Sequence, residues 1–369
     1  MMHILKLLSK RPKVILGSPP ASRLLIYDQI ASSAFLDAIR PYAPQFMAIR
    51  GEEYYLTIAL KSFLKYICRK RKGRLMDNYI AEYIRCVDPV LLGTNLDIDA
   101  RFWSLEIDNL NCQKFFVQHG ILDGSIVNES YLDSNNMRVD FMFTFSNESS
   151  VVYRDMFKIE GAVQPIGSIK NNAIRIQEAL SNRPKILYLI SEWEPNTNHE
   201  ELSIVRSIIE VIHLFCYKNS LELRVLPRFR GCDSSWEGER IFFDSIGISK
   251  IEVQEKISDL DNYKLCSEAV GVVFFYSTLG YELGVRGETP ICCINFRAQF
   301  ENNPNRHFGW PSPHFSRIKG LTNEPTKSEI MKVLEELLLG GIDQKIFKSL
   351  LNYDPDNLIF KSFLKNKLN

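Results

Sequence analysis

The chain has 369 residues, 45% hydrophobic and 24% charged, the balance of a globular protein that is too long for one ordinary core and suits two domains of about 150–200 residues each. Its 45 Lys+Arg nearly cancel its 44 Asp+Glu, so no global field draws it to nucleic acid and any basic surface has to be local. Eight cysteines without a C-x-x-C pair argue against a disulfide framework and a zinc site, and no stretch approaches the roughly 20 apolar residues of a membrane span, so a reducing, cytoplasmic location is expected.

After a basic start, Arg23–Asp28 reads as a buried strand, Ala31–Ile39 as a helix and Gln45–Ile49 as a second short strand. From Glu52 to Cys68, Tyr55, Ile58, Ala59, Phe63 and Ile67 recur at helical spacing, which predicts an amphipathic helix. It runs into Arg69-Lys70-Arg71-Lys72-Gly73-Arg74. Cations there complement the negative end of the helix dipole. Beside Phe63, Leu64 and Tyr66 the same charges also suit anionic headgroups, which makes peripheral contact with the inner membrane a second expectation. Val90–Gly93 is a third strand, followed by a polar turn with Asn95, Asp97 and Asp99 and a helix through Phe102–Ile107. The turn lacks the Gly and the distant Glu of a calcium loop, and no metal is expected.

Phe115–Val117 is a strand that stops at Gln118-His119-Gly120. A parallel sheet binds ligands at its carboxyl edge. His119 is therefore the candidate acid/base, because imidazole titrates near neutrality. Gly120 allows close ligand approach, Gln118 joins it as a substrate contact, and Asp123 stands four residues after the histidine. Val139–Phe145 and Ala162–Ile166 are further strands, with a helix through Phe157 between them.

The polar stretch 168–184, with a helix expected over Ala173–Leu180, is read as the interdomain linker. Lys185–Ile190 restarts the strand pattern, and a long helix Glu200–Lys218 presents Ile204, Ile208, Val211, Ile212 and Phe215 on one face. Leu221–Leu226 is a strand whose carboxyl edge carries Arg228 and Arg230, guanidinium groups suited to bidentate phosphate contact. Trp236–Phe243 reads as a helix, Lys250–Val253 as a strand and Ser258–Cys266 as a helix.

The stretch Val270–Phe296, VGVVFFYSTLGYELGVRGETPICCINF, reads as strand, polar turn, short helix and strand. Ser277 and Thr278 stand at the carboxyl end of the first strand, where the next helix exposes unpaired N–H groups and positive dipole, an arrangement fit to hold a phosphate oxygen. Glu282, one turn in, is placed to accept both hydroxyls of a ribose. Each residue also has an ordinary reading, the hydroxyls as helix caps and the acid as a dipole complement. The irregular segment Arg297–Arg317 carries His307 and Trp310, an aromatic and polar kit for stacking and hydrogen-bonding a sugar. Helices over Lys327–Leu338, Gln344–Asn352 and Leu358–Lys367 finish the chain. Neither G-x-G-x-x-G nor G-x-x-x-x-G-K-[ST] nor G-x-S-x-G occurs, which argues against a dehydrogenase, a P-loop NTPase and an α/β-hydrolase.

The hydroxyl pair, Gly, Glu, Gly and Pro of this stretch resemble the nucleotide-binding half of GT-B glycosyltransferases and UDP-sugar 2-epimerases. STLGYELGVRG is more narrowly similar to a motif of the β-Kdo transferase group, and Gln118-His119-Gly120 resembles a string of carbohydrate- and polyol-phosphate transferases. The resemblance implies two Rossmann-like doubly wound α/β domains facing across a cleft. An N-terminal acceptor-side domain would span 1–167, a nucleotide-sugar domain 185–340, and helices of 341–369 would cross back. It further implies transfer of a sugar, Kdo from CMP-Kdo, to a bacterial surface glycan or glycolipid. The nucleotide-sugar donor is then a substrate and no cofactor is expected, Arg228, Arg230, Ser277, Thr278 and Glu282 hold the donor, and His119 with Asp123 act on the reacting side. The His-Pro pair that such enzymes carry beside the phosphate-binding turn is absent at Pro227–Gly231. A polyol-phosphate transferase, a nucleotide-sugar 2-epimerase and a non-catalytic glycan-binding protein remain alternatives.

Overall fold

The computed structural model describes residues 13–29, 31–48, 53–68, 75–95, 102–103, 105, 112–120, 138–156, 158–175, 183–195, 197, 199–229, 231, 233–248, 260–296 and 318–369. The basic run Arg69–Arg74, Asp97, Asp99, Asp123, Arg230, the strand expected at Lys250–Val253, and His307 and Trp310 lie outside the described residues. The described residues fall into two compact units. One runs up to Ala173 and takes in Asp354–Asn369, and the other is Ile174–Tyr353.

The first unit opens with β1 (Lys13–Ile15), β2 (Leu24–Ile26), α1 (Ser33–Ile39), β3 (Gln45–Phe46), β4 (Glu53–Tyr55), α2 (Leu56–Cys68) and α3 (Leu75–Val87). It continues through β5 (Leu91–Thr94), β6 (Gln113–Val117), β7 (Arg138–Thr144), α4 (Asn147–Met156), β8 (Lys158–Pro165) and α5 (Ile169–Asn172). Six strands form one parallel sheet in the order β3-β2-β5-β6-β7-β8. Strands of such a sheet are covered on both faces, which is why they read as continuous apolar runs: Leu24, Leu25, Leu91, Leu92, Phe115 and Phe116 are fully buried.

Two differences from the sequence reading have physical causes. Glu53–Tyr55 is not the start of the expected helix. It pairs in parallel with Lys13–Ile15, so tertiary pairing claims the residues that helical spacing had assigned to α2. In the expected linker a short helix, Ile169–Asn172, is present where none was expected, begun by the Ser168 hydroxyl accepting the Asn171 N–H, while residues 176–180 of the helix expected over Ala173–Leu180 lie outside the described residues.

The second unit contains β9 (Ile186–Ile190), α6 (His199–Lys218), β10 (Glu222–Leu226), α7 (Trp236–Asp244), α8 (Asp261–Glu268), β11 (Gly271–Phe274), α9 (Thr278–Arg286), β12 (Ile291–Ile294), β13 (Leu321–Thr322), α10 (Lys327–Leu338) and α11 (Gln344–Leu350). Its five strands are parallel in the order β10-β9-β11-β12-β13. Ile208, Ile212 and Phe215 of α6 pack on this sheet with Leu334 and Leu337 of α10. Burial pushes the thiol of Cys216 up to about 12, so it stays protonated and serves packing.

The return to the first unit begins later than residue 341. Residues up to Tyr353 stay with the second unit because the Gln344 amide donates to the Val285 and Arg286 carbonyls at the end of α9, and the Ile342 N–H donates to Ile291 O. From Asp354 the chain is held by a buried polar knot. Asn172 donates to Asn357 Oδ1 at 3.1 Å and accepts the Asp354 N–H at 3.0 Å, while Asn357 donates to Ile169 O at 2.9 Å. The terminal helix α12 (Leu358–Leu368) then seats Phe360 against Phe35, Phe115 and Phe143, with ring centroids 5.9, 5.9 and 5.2 Å away. Thus the last segment completes the core of the first unit.

Candidate functional site

Both sheets reverse their strand order once, and ligands of doubly wound sheets bind at the carboxyl ends of the strands flanking that reversal. In the second unit the reversal lies between β9 and β11; in the first it lies between β2 and β5.

At the second unit's reversal, Ser191 follows β9, Arg228 follows β10 and Ser277 follows β11. The residue that organises this edge is Glu239, which is fully buried. Its Oε1 accepts the Arg228 N–H and its Oε2 the Phe229 N–H, each at 3.0 Å, and the Ser191 hydroxyl donates to Oε1 as well. One carboxylate on α7 therefore holds the turns after β9 and β10. Sequence reasoning missed it, because an acid in the first turn of a helix is read as a dipole complement. Only its burial against two loop amides reveals the role.

Arg228, expected at a donor phosphate, is half-exposed and ion-paired with Glu194 at 2.7 Å and Glu192 at 3.5 Å. A phosphate there would compete with two carboxylates for the same guanidinium. Trp193 stands beside it, packed edge-on against Phe229 with centroids 5.9 Å apart and lying where a Cβ on Gly238 would sit.

Ser277 is the N-cap of α9 by backbone geometry, yet its side chain makes no capping hydrogen bond, and both Ser277 and Thr278 are partly exposed. The ordinary capping role is thus not being performed by that hydroxyl. The glycines of STLGYELGVRG have packing reasons. A Cβ on Gly280 would fall 2.2 Å from the Phe274 ring and one on Gly284 2.4 Å from the Phe347 ring, while Gly287 ends the helix at φ +66°. Glu282, expected at a ribose, is fully buried and accepts the Tyr263 hydroxyl at 2.5 Å. It reaches a ligand only if Tyr263 gives way. Tyr263, on α8, carries no pattern that marks it in the sequence.

At the first unit's reversal the buried Asn95 side chain is the hub. Its Nδ2 donates to Val117 O at 3.2 Å, so its Oδ1 faces the Ser32 N–H and His119 Nδ1, both at 3.3 Å. An acceptor facing Nδ1 assigns a proton to that nitrogen, so that whenever the ring is neutral Nε2 is the acceptor. His119 itself is partly exposed. The neighbouring Ser33 Oγ is buried with no hydrogen-bond partner among the described residues. Gln118, expected to touch substrate, is instead buried and used within the fold: its Oε1 accepts the Phe145 N–H at 2.7 Å and its Nε2 donates to Gly120 O at 2.8 Å. That pair of bonds holds the turn carrying His119. Gly120 is partly exposed, with its carbonyl taken by Gln118.

Replacing Glu239 by Gln keeps its size but turns one acceptor into a donor facing an amide N–H. The expected loss is about 1–3 kcal/mol of unfolding free energy, read as a lower denaturant midpoint at unchanged slope. An unchanged midpoint would show that the turns after β9 and β10 hold themselves.

Comparison with known proteins agrees with this architecture. A family profile described as "putative O-antigen biosynthesis protein" matches residues 115–368. No curated protein sequence matches. Among solved structures, the wall teichoic acid polymerase TagF has a TM-score of 0.55 at 9% identity, covering 94% of this chain and 89% of that one. A UDP-GlcNAc 2-epimerase of Methanocaldococcus jannaschii, in complex with UDP-GlcNAc and UDP, has a TM-score of 0.52 at 12% identity over 93% of this chain and 99% of its own. A Listeria monocytogenes protein described as a "putative UDP-N-acetylglucosamine 2-epimerase" gives 0.54 at 11% identity, with 94% of this chain and 97% of that one covered. At these identities the likeness shows the fold, the α/β arrangement of two Rossmann-like units.

Proposed function

Because the chain belongs to this O-antigen biosynthesis family, matched over residues 115–368, we propose that it is a nucleotide-sugar-dependent glycosyltransferase of GT-B type that extends a bacterial surface glycan or glycolipid. The observation that carries the reading is the second unit's reversal point, where an uncommitted Ser277 hydroxyl opens α9 beside turns tied down by Glu239. Ser277, Thr278 and the α9 N-terminus hold the donor phosphate, using the hydroxyls and the positive end of the helix dipole. Arg228 joins when the phosphate displaces Glu194 from it. In the first unit His119, with Nδ1 held by Asn95, offers Nε2 to the acceptor hydroxyl as general base. Stabilising the departing nucleotide phosphate is the main catalytic term.

The donor in this proposal is CMP-Kdo, on the similarity of STLGYELGVRG to the β-Kdo transferase motif, and the reaction takes place at the cytoplasmic face of the inner membrane. Thermal-shift measurement with CMP, CDP, UDP and GDP tests the nucleotide. A ligand at about 100 times its dissociation constant adds about 2.7 kcal/mol, so CMP is expected to raise the midpoint most. A larger shift with another nucleotide reassigns the donor, and no shift with any of the four removes the nucleotide site. Incubation with the matching donor then separates glycosyl transfer, seen as free nucleotide plus extended acceptor, from an isomerised sugar or a phosphodiester.

A further inference from the structure

Among the described residues the sheet of the second unit ends at β13, and beside that edge lies a cavity of 550 Å³. One wall is β13 with its flanking residues, and the other is the flank of α10 that carries Glu329, Lys332 and Glu336. The volume is that of a small-molecule site. Gly320 and Thr322 face β12, where Gly320 O accepts the Cys293 N–H at 3.0 Å and Thr322 O the Asn295 N–H at 2.9 Å. Backbone groups alternate in direction along a strand, so the N–H and C=O of Leu321 and Asn323 point away from β12, on the side of the cavity both residues line.

A second observation lies behind that wall. Asn295, which follows β12, is fully buried, and its Nδ2 donates to Asn323 Oδ1 at 2.9 Å. Its Oδ1 has no hydrogen-bond partner among the described residues. A buried amide left half-satisfied is costly, and it marks a place where something from outside the fold completes the bonding. Its partner Asn323 is partly exposed and uses only Oδ1 in this pair, so its Nδ2 is available to the cavity.

The lining selects the ligand. Three acids, Glu324, Glu329 and Glu336, stand against two lysines, and both lysines are engaged: Lys319 donates to Leu339 O at 3.2 Å and Lys332 pairs with Glu329 at 3.6 Å. A phosphate or a sugar acid would meet an excess of negative charge. No acids among the described residues group as a metal site. Apolar lining is limited to Ile318, Leu321 and Val333, too little for an apolar ligand, and β13 is only two residues long, shorter than an added strand needs. What remains is a set of separate donors and acceptors. The hydroxyl group, which does both, is their match.

We propose that this cavity binds a neutral polyhydroxylated ligand, an uncharged stretch of glycan, through Asn323 Nδ2 and the outer edge of β13. By strand order it lies two strands, about 10 Å, from β11 and the Ser277 edge, so it holds glycan apart from the donor. Naming the ligand a glycan rests on the reading of the chain as a surface-glycan transferase; the lining by itself asks for a neutral polyol.

Saturation-transfer NMR of the full chain with maltotriose, triacetylchitotriose and the acidic trigalacturonate tests it. Transfer is expected to at least one of the two neutral sugars, with trigalacturonate at least tenfold weaker. Asn323→Asp keeps the acceptor for Asn295 and removes the cavity donor, and Glu329→Trp fills the space from a partly exposed position. Each is expected to weaken neutral-sugar binding at least tenfold while the nucleotide-induced thermal shift stays native. Absence of transfer to both neutral sugars, native affinity in both variants, or preference for trigalacturonate overturns the proposal. Neutral-sugar binding that both variants abolish, in a chain whose midpoint no nucleotide shifts, upholds the site and removes the transferase reading instead.

Discussion

Arg286→Met is expected to cost about 3–5 kcal/mol of stability, the range for removing one partner of a buried ion pair. Arg286 and Glu288 are only 2% and 3% exposed, and they are joined by two parallel bonds, Nε to Oε2 at 2.7 Å and Nη2 to Oε1 at 2.8 Å. The guanidinium also donates to Ile174 O and Arg175 O at 3.0 Å, which ties the first residues of the second unit to the end of α9. It lies 5.8 Å from the ring centre of Tyr263, the residue that holds Glu282. Met fills the space but takes both guanidinium bonds from the buried Glu288 carboxylate, leaving it only the more distant charge of Arg183, and orphans two carbonyls. Denaturant unfolding should show a large fall in midpoint. The double variant Arg286→Met/Glu288→Leu should recover much of it, because replacing both charges removes the desolvation penalty. A single-variant loss below about 1 kcal/mol would mean that water reaches Glu288, contrary to its burial.

His119→Ala is expected to lower kcat by about 10²–10⁴, the contribution of a positioned general base, once the donor has been found. Loss of kcat with little change in nucleotide midpoint would place His119 on the reacting side. Loss of nucleotide binding without loss of kcat at saturation would make it a donor contact instead. Asn95→Leu gives an independent readout. It leaves the imidazole in place but removes the acceptor that assigns the proton to Nδ1 and the support of the Ser32 N–H. The expected result is a smaller fall in kcat with a displaced pH–rate profile, whereas a purely structural Asn95 would lower the thermal midpoint and leave the profile where it was.

The sequence was informative wherever a strand is buried on both faces. Runs such as Leu24–Ile26, Ile186–Ile190 and Ile291–Ile294 read as buried strands, because a parallel sheet covered on both sides needs three to five apolar residues in succession. Alternation of those runs with helical spacing was enough for two Rossmann-like units, and Gly287 marked the end of α9 because few residues tolerate its positive φ. The carboxyl edges could be located too, and with them His119 and Ser277.

What happens at those edges was decided by contacts between residues far apart in the chain. Glu239 reaches loop amides on Arg228 and Phe229, Asn95 reaches His119, and Glu282 turns inward to Tyr263. No spacing rule encodes such pairs, because each depends on how a helix rotates against its sheet. The apolar residues of α2 carry the same lesson. Their periodicity announces an amphipathic helix, yet only the packing of Ile58 and Ser62 shows that the greasier face looks outward. Hydrophobic pattern fixes which residues share a face; the tertiary structure decides whether that face meets the core or something beyond the molecule.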